Sequence, residues 1–266
     1  MKTSNLFFVI ALLLGSLAVQ AQTPPPMFCI VETMKTLPGK SAEYVKAERE
    51  IWKKLHQERV KRGLIRGWDL YAVRYPSGTN AAYDYVTVTW IEGAAKLENP
   101  WGTLFADAEK LLSKDEYATA MNIGLSRNLT TTTLYHQSDF AVADPKATTP
   151  RKYIMVNMMN VKPGTEAAYE AMETKLVKPM LVAMMKSGGR ATWSRFSLML
   201  PGGSNQPFNY TTVDGYDKWA DIGQGDAAAA IKTVHPDMTL AAYGKQIEDA
   251  RQLVSQELWE LIDSTR

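Results

Sequence analysis

The chain has 266 residues, 45% of them hydrophobic, and 30 Lys and Arg against 28 Asp and Glu give a formal charge of +2. So even a balance excludes the electrostatic footprint of a nucleic-acid or anionic-membrane binder, and a single cysteine, Cys29, excludes an internal disulfide framework. The length allows two domains of roughly 110 residues, each able to bury a core.

Residues 1–21 read as a secretory signal: Lys2 forms a short basic region, Leu6 to Leu17 are apolar, and Val19-Gln20-Ala21 is a small-residue cleavage site. Export is therefore expected, to the periplasm or the medium, with no stable membrane insertion after cleavage. Cys29 lies too far beyond the apolar run to serve as a lipid acceptor, and it reads as a small buried apolar residue. Residues 22–27, with Pro24-Pro25-Pro26, form a flexible lead.

A first module spans 28–140. Phe28 to Lys35 is a β-rich run that stops at Leu37-Pro38-Gly39, and Ser41 is expected to cap the helix that follows. Tyr44, Ala47, Ile51 and Leu55 recur at helical spacing as its buried stripe, and Gly63 ends it. Strands near 65–75 and 83–91, a helical stretch over 94–125 and a strand over 131–140 complete the module. Residues 141–150 read as a linker. The second module, 151–266, repeats the order: a strand at 153–160, a helix at 165–187, strands at 190–200 and 208–214, a helical region over 217–250 and a strand near 254–262. Pro179 is expected to kink the second module's first helix and free a carbonyl. Met172, Met180, Met184 and Met185 on the same helix read as core filling.

The two modules are copies. Residues 28–88 align with 153–213 at a constant offset of 125, without a gap and with 17 identities in 61 positions, so the period sets the architecture. The shared residues include Pro38-Gly39 and Pro163-Gly164, Tyr44 and Tyr169, Trp68 and Trp193, Pro76 and Pro201, and Tyr85 and Tyr210. They read as turn, packing and aromatic positions, not as an ionisable constellation. Near the ends, Arg127-Asn128-Leu129 echoes Arg251-Gln252-Leu253.

A βαββαβ order, twice, predicts an α+β protein of two tandem ferredoxin-like modules. Each module leaves one sheet face open, and stacking the two faces closes an eight-stranded barrel within one chain. The chain resembles the dimeric α/β-barrel superfamily, which includes antibiotic-biosynthesis monooxygenase-like, NIPSNAP-like and EthD-like proteins and the chlorite dismutases. The resemblance rests on the element order, the Pro-Gly after the first strand, and the Gly-x4-Trp step from Gly63 to Trp68 and from Gly188 to Trp193. It implies a fold that carries oxygenases, haem enzymes, isomerases and proteins without a known reaction.

Strand alternation divides each strand into two faces. The uniformly aliphatic set, with Val31, Val73, Val88 and Val156, is expected against the helices, and the mixed set is expected to line the barrel. That places Glu32, Asn157 and Arg195 as candidate catalytic residues, with Trp68, Arg74, Tyr85, Trp193, Tyr210 and Asp214 as ligand-binding residues. The aromatic rings would stack on a ligand, Arg195 and Asn157 would polarise an anion or carbonyl, and Glu32 would accept a proton. Exchange of Arg195 for Leu is then expected to abolish binding without unfolding the protein.

No metal site and no cofactor are expected, because three scattered histidines supply no ligand set. The superfamily's haem-degrading oxygenases use an asparagine on the first strand, a tryptophan ending the third and a histidine on the second helix. Asn157 matches the first by position and Trp90 only approximates the second. His235 lies later than the pattern asks, and it is the residue that tests a haem reading. His56 is expected in solvent.

The leading expectation is an exported barrel that binds a small apolar or aromatic molecule between its sheets, with cofactor-independent monooxygenase-like chemistry. The competing one is a non-catalytic structural or interaction protein whose barrel is filled by side chains. Either suits a monomeric pseudo-dimer or a homo-oligomer.

Overall fold

The computed structural model describes residues 24–147 and 149–266; the expected signal segment lies outside them. The strands are β1 (Met27–Thr36), β2 (Gly67–Tyr75), β3 (Tyr85–Glu92), β4 (Arg127–Val142), β5 (Tyr153–Asn160), β6 (Thr192–Leu200), β7 (Tyr210–Tyr216) and β8 (Gln252–Thr265). They close an antiparallel barrel in the order β1-β3-β2-β8-β5-β7-β6-β4. Each half supplies one four-stranded sheet, and two seams, β2 to β8 and β4 to β6, join the sheets. β4 and β8 are the long strands, with 16 and 14 residues, and each pairs inside its own sheet on one edge and across a seam on the other.

The helices lie outside the barrel: α1 (Ser41–Ala47), α2 (Lys53–Lys61), α3 (Leu104–Leu111), α4 (Lys114–Met121), α5 (Glu166–Met172), α6 (Lys178–Ser187), α7 (Ala227–Val234) and α8 (Leu240–Ala250). A five-residue π-turn, Glu48–Trp52, joins α1 to α2, and its repeat Glu173–Val177 joins α5 to α6. The expected stripe of Tyr44, Ala47, Ile51 and Leu55 is buried. At the turn before α1, Gly39 takes φ +76°, and Gly164 takes +86° at the same place in the second half, a conformation that suits glycine.

Two expectations about these helices are corrected. Ser41 is the first residue of α1 and not its cap; its hydroxyl bonds to the Tyr85 hydroxyl instead. Pro179 sits in the first turn of α6, just past the π-turn, where a missing N–H costs little. The same π-turn forms in the first half, where Lys54 occupies the equivalent position. Proline is therefore not its cause.

The core has two kinds of layer. Trp68 packs with Phe28, Tyr44 and Leu70 beneath the first half's helices, and Trp193 packs with Leu181, Met184 and Ile231 beneath the second's. Met180, Met184 and Met185 fill this layer as expected. Between the sheets lies a separate cluster that includes Cys29, Tyr71, Val88, Val156, Phe196 and Trp259.

Candidate functional site

The inter-sheet layer does not close completely. It holds a chamber of about 800 Å³, within the size range of small-molecule sites. Alternation aims one face of every strand into it: Cys29 and Val31 from β1, Tyr71 from β2, Val88 and Trp90 from β3, and Tyr135 from β4. The other sheet supplies Ile154 and Val156 from β5, Phe196 from β6 and Trp259 from β8. The chamber extends from the β6–β7 loop, at Pro207 and Phe208, to the segment after β4, at Pro150 and Arg151.

Polar groups meet this apolar wall at two poles. At one, Asp69 accepts from Trp90 Nε1 at 2.7 Å and pairs with the Arg266 guanidinium at 2.8 Å. Burial pushes the Asp69 carboxyl upward against the pull of Arg266. At the other, the Glu257 carboxylate accepts from the Tyr83 hydroxyl at 2.7 and 2.8 Å and from Trp259 Nε1 at 2.7 Å. Tyr135 stands nearby, its hydroxyl pushed up to about 12 mainly by burial. Burial, with Asp69 adding to it, also pushes the Cys29 thiol up, which disfavours the thiolate.

The predicted faces are inverted: none of the expected site residues lines the chamber, whereas Val31, Val88 and Val156 do and Val73 packs in the same inter-sheet layer. Trp68 stacks on His56 under α2 with ring centroids 4.7 Å apart, and Trp193 is sealed beneath α6 and α7. Arg195 donates to the Glu170 carbonyl at 2.8 Å and to Thr174 Oγ1 at 3.2 Å, and Tyr210 donates to Glu170 Oε1 at 3.0 Å. Asn157 donates to Asp214 Oδ2 at 3.0 Å, and Asp214 pairs with Arg190 at 2.9 Å. Glu32 accepts a long bond from Thr87 at 3.5 Å, Tyr85 bonds to Ser41, and Arg74 pairs with Glu260 at the exposed rim. The physical reason is that the helices bring the partners. The Glu170 carboxylate and carbonyl and the Thr174 hydroxyl satisfy Arg195 and Tyr210, which the aliphatic inter-sheet layer could not.

This helix-side layer does hold a repeated ionisable constellation, contrary to expectation. Tyr44, Glu48 and Arg127 in the first half correspond to Tyr169, Glu173 and Arg251 in the second. Both glutamates are buried within the π-turns. Burial raises the Glu48 carboxyl to about 7 although Tyr44 and Arg127 pull it down, and Glu173 is also raised by burial against Arg251, 3.3 Å away. Every member was within reach of sequence reasoning: Glu48 and Glu173 are an identity of the repeat, and the arginines belong to its matching ends.

The histidines do not fit a haem. His56 is buried, correcting the solvent expectation, with Nδ1 2.9 Å from Arg59 and its charge suppressed by burial and then by that guanidinium. His235 Nε2 lies 3.0 Å from the Leu176 carbonyl, and His136 packs on Phe28. None of them lines the chamber, so no ring nitrogen is presented there as an axial ligand. Among the described residues no group of three or more His, Cys, Asp or Glu is placed to hold a metal ion, and no helix is long and apolar enough to cross a membrane.

No family model and no curated protein matches the chain. Solved structures do. A candidate monooxygenase from Fusobacterium nucleatum superposes with a TM-score of 0.53 at 10% identity, over 91% of this chain and 95% of that one. A second candidate monooxygenase, from Lactobacillus acidophilus, gives 0.52 at 12% identity over 90% and 93%. The chain has the dimeric α/β-barrel fold. A chlorite dismutase variant from Candidatus Nitrospira defluvii gives 0.50 at 11% identity over 91% and 93%. In this dimeric α/β barrel both sheets come from one chain, so the pseudo-two-fold halves are free to differ at the chamber.

Proposed function

We propose that this α/β barrel binds a small, largely apolar or aromatic molecule in the chamber between its sheets. The observation that carries the reading is the chamber itself: about 800 Å³ walled by Tyr71, Trp90, Phe196 and Trp259, where a barrel of eight strands is narrow enough for side chains to fill. A structural protein with a filled interior has no use for such a volume. The two candidate monooxygenases of the same fold support an oxygenase-like use of the chamber. In cofactor-independent oxygenation the substrate itself supplies electrons to dioxygen, and the protein desolvates and positions it. The apolar wall would do the first and the two polar poles the second.

Native mass spectrometry of the mature chain from its own cells, followed by calorimetric titration with 1-naphthol, tests this. An organic adduct or a saturable titration is expected, lost when Val156→Trp fills the chamber. A bare mass together with no titration would overturn the reading.

A further inference from the structure

We infer that the chamber's ligand is an organic cation, an ammonium on an apolar or aromatic body, with its charged head at Glu257. This rests on the chamber reading and specifies its ligand. Three observations carry it. The first is that Glu257 is a chamber-lining carboxylate whose hydrogen-bond partners, Tyr83 and Trp259, are neutral. On the same strand Glu260 pairs with Arg74 and Lys152, and Asp263 with Lys53 and Arg49. Among the described residues Glu257 has no such ion-pair partner, and a carboxylate facing an apolar space favours a cation there.

The second observation is the company it keeps. Tyr83, Trp259 and Tyr135 gather around the carboxylate, with Tyr71 behind Trp259 at a ring-centroid distance of 6.0 Å. Aromatic rings clustered with an acid are the chemistry that recognises ammonium groups, because the ring quadrupole attracts a cation that the carboxylate neutralises.

The third is an asymmetry. The duplication supplies a pseudo-equivalent of each residue across the chamber: Phe208 for Tyr83, Thr133 for Glu257 and Tyr135 for Trp259. All three also line the chamber. The aromatic positions are kept in kind, while the charge and the phenol that bonds it occur on one side only. Of the two acidic, aromatic poles, Asp69 is paired with Arg266, and among the described residues only Glu257 lacks an ion-pair partner, which would orient a ligand with one charged end.

Titration of the mature protein with three probes of one shape tests the inference: 4-phenylbutylamine, 4-phenylbutanol and 4-phenylbutyrate. The ammonium is expected to bind at least tenfold tighter than the alcohol, and the carboxylate weakest. Glu257→Gln is expected to erase the preference for the amine and leave the alcohol's affinity within about threefold, which also shows that the variant is folded. Tyr83→Phe keeps the charge and is expected to keep most of the preference. Equal affinity for amine and alcohol, or a preference that survives Glu257→Gln, would overturn the cation assignment while leaving the chamber reading standing. Failure of all three probes would overturn both.

Discussion

Arg195, expected in the chamber, instead lies buried on the helix side of its strand. Its burial and its bonds to Ser138, Glu170 and Thr174 tie β6 to α5 and β4. Arg195→Leu is therefore expected to lower stability by about 2–4 kcal/mol in urea unfolding, since it strands those acceptors, while a chamber ligand's affinity for the folded fraction stays unchanged. Glu48 gives a second prediction. A carboxyl raised from 4.5 to about 7 by burial holds a proton in the folded state that the unfolded chain releases. Its contribution to stability is full below about pH 4.5 and falls as pH rises toward 7. Glu48→Gln removes that dependence. The stability lost between pH 5 and pH 8 should shrink by roughly 2 kcal/mol against the parent protein; an unchanged loss would contradict the buried carboxyl's role. The positions of Glu48 and Arg127 are marked by the repeat, as Glu173 and Arg251 match them. Glu257 was not legible, because nothing local distinguishes a chamber glutamate from the solvated Glu on many strands.

Strands and helices were legible to within a few residues because periodicity reports which residues share a face. The face's destination was not legible. Both faces of each sheet are covered, one by helices and one by the other sheet, so alternation separates Val156 from Asn157 without saying which of the two layers receives each. The π-turns escaped as well, since a single added residue leaves the stripe of Tyr44, Ile51 and Leu55 intact. Their recurrence at Glu48–Trp52 and Glu173–Val177 ties the π-turn to the shared architecture and separates it from Pro179. Pro179→Ala is accordingly expected to change stability by less than about 1 kcal/mol, with far-ultraviolet circular dichroism unaltered. A larger loss would restore the proline as the turn's cause.

At the scale of the whole molecule, the two seams are one interface used twice. Across β2 and β8, Val73 faces Trp259 and Tyr71 faces Leu261. Across β6 and β4, Leu198 faces Tyr135 and Phe196 faces Gln137, the same positions after the repeat offset. Half of the chain thus carries both sides of the seam, β2 and β4, and exposes an open sheet face when alone. Residues 22–147 expressed alone are expected to associate as a homodimer, β2 of each copy against β4 of the other, because an unpaired edge and an uncovered apolar face are both costly. Light scattering coupled to size exclusion reads this as twice the half-chain mass, and a soluble monomer would contradict the seam equivalence. Such a dimer would place Thr133 at both positions where the parent barrel has Thr133 and Glu257. It should take neutral aromatic probes in its chamber, while each Asp69, deprived of Arg266, is left there as an unpaired carboxylate beside Trp90: the barrel needs only the repeated seam, and the Glu257 pole exists only because the two copies have diverged.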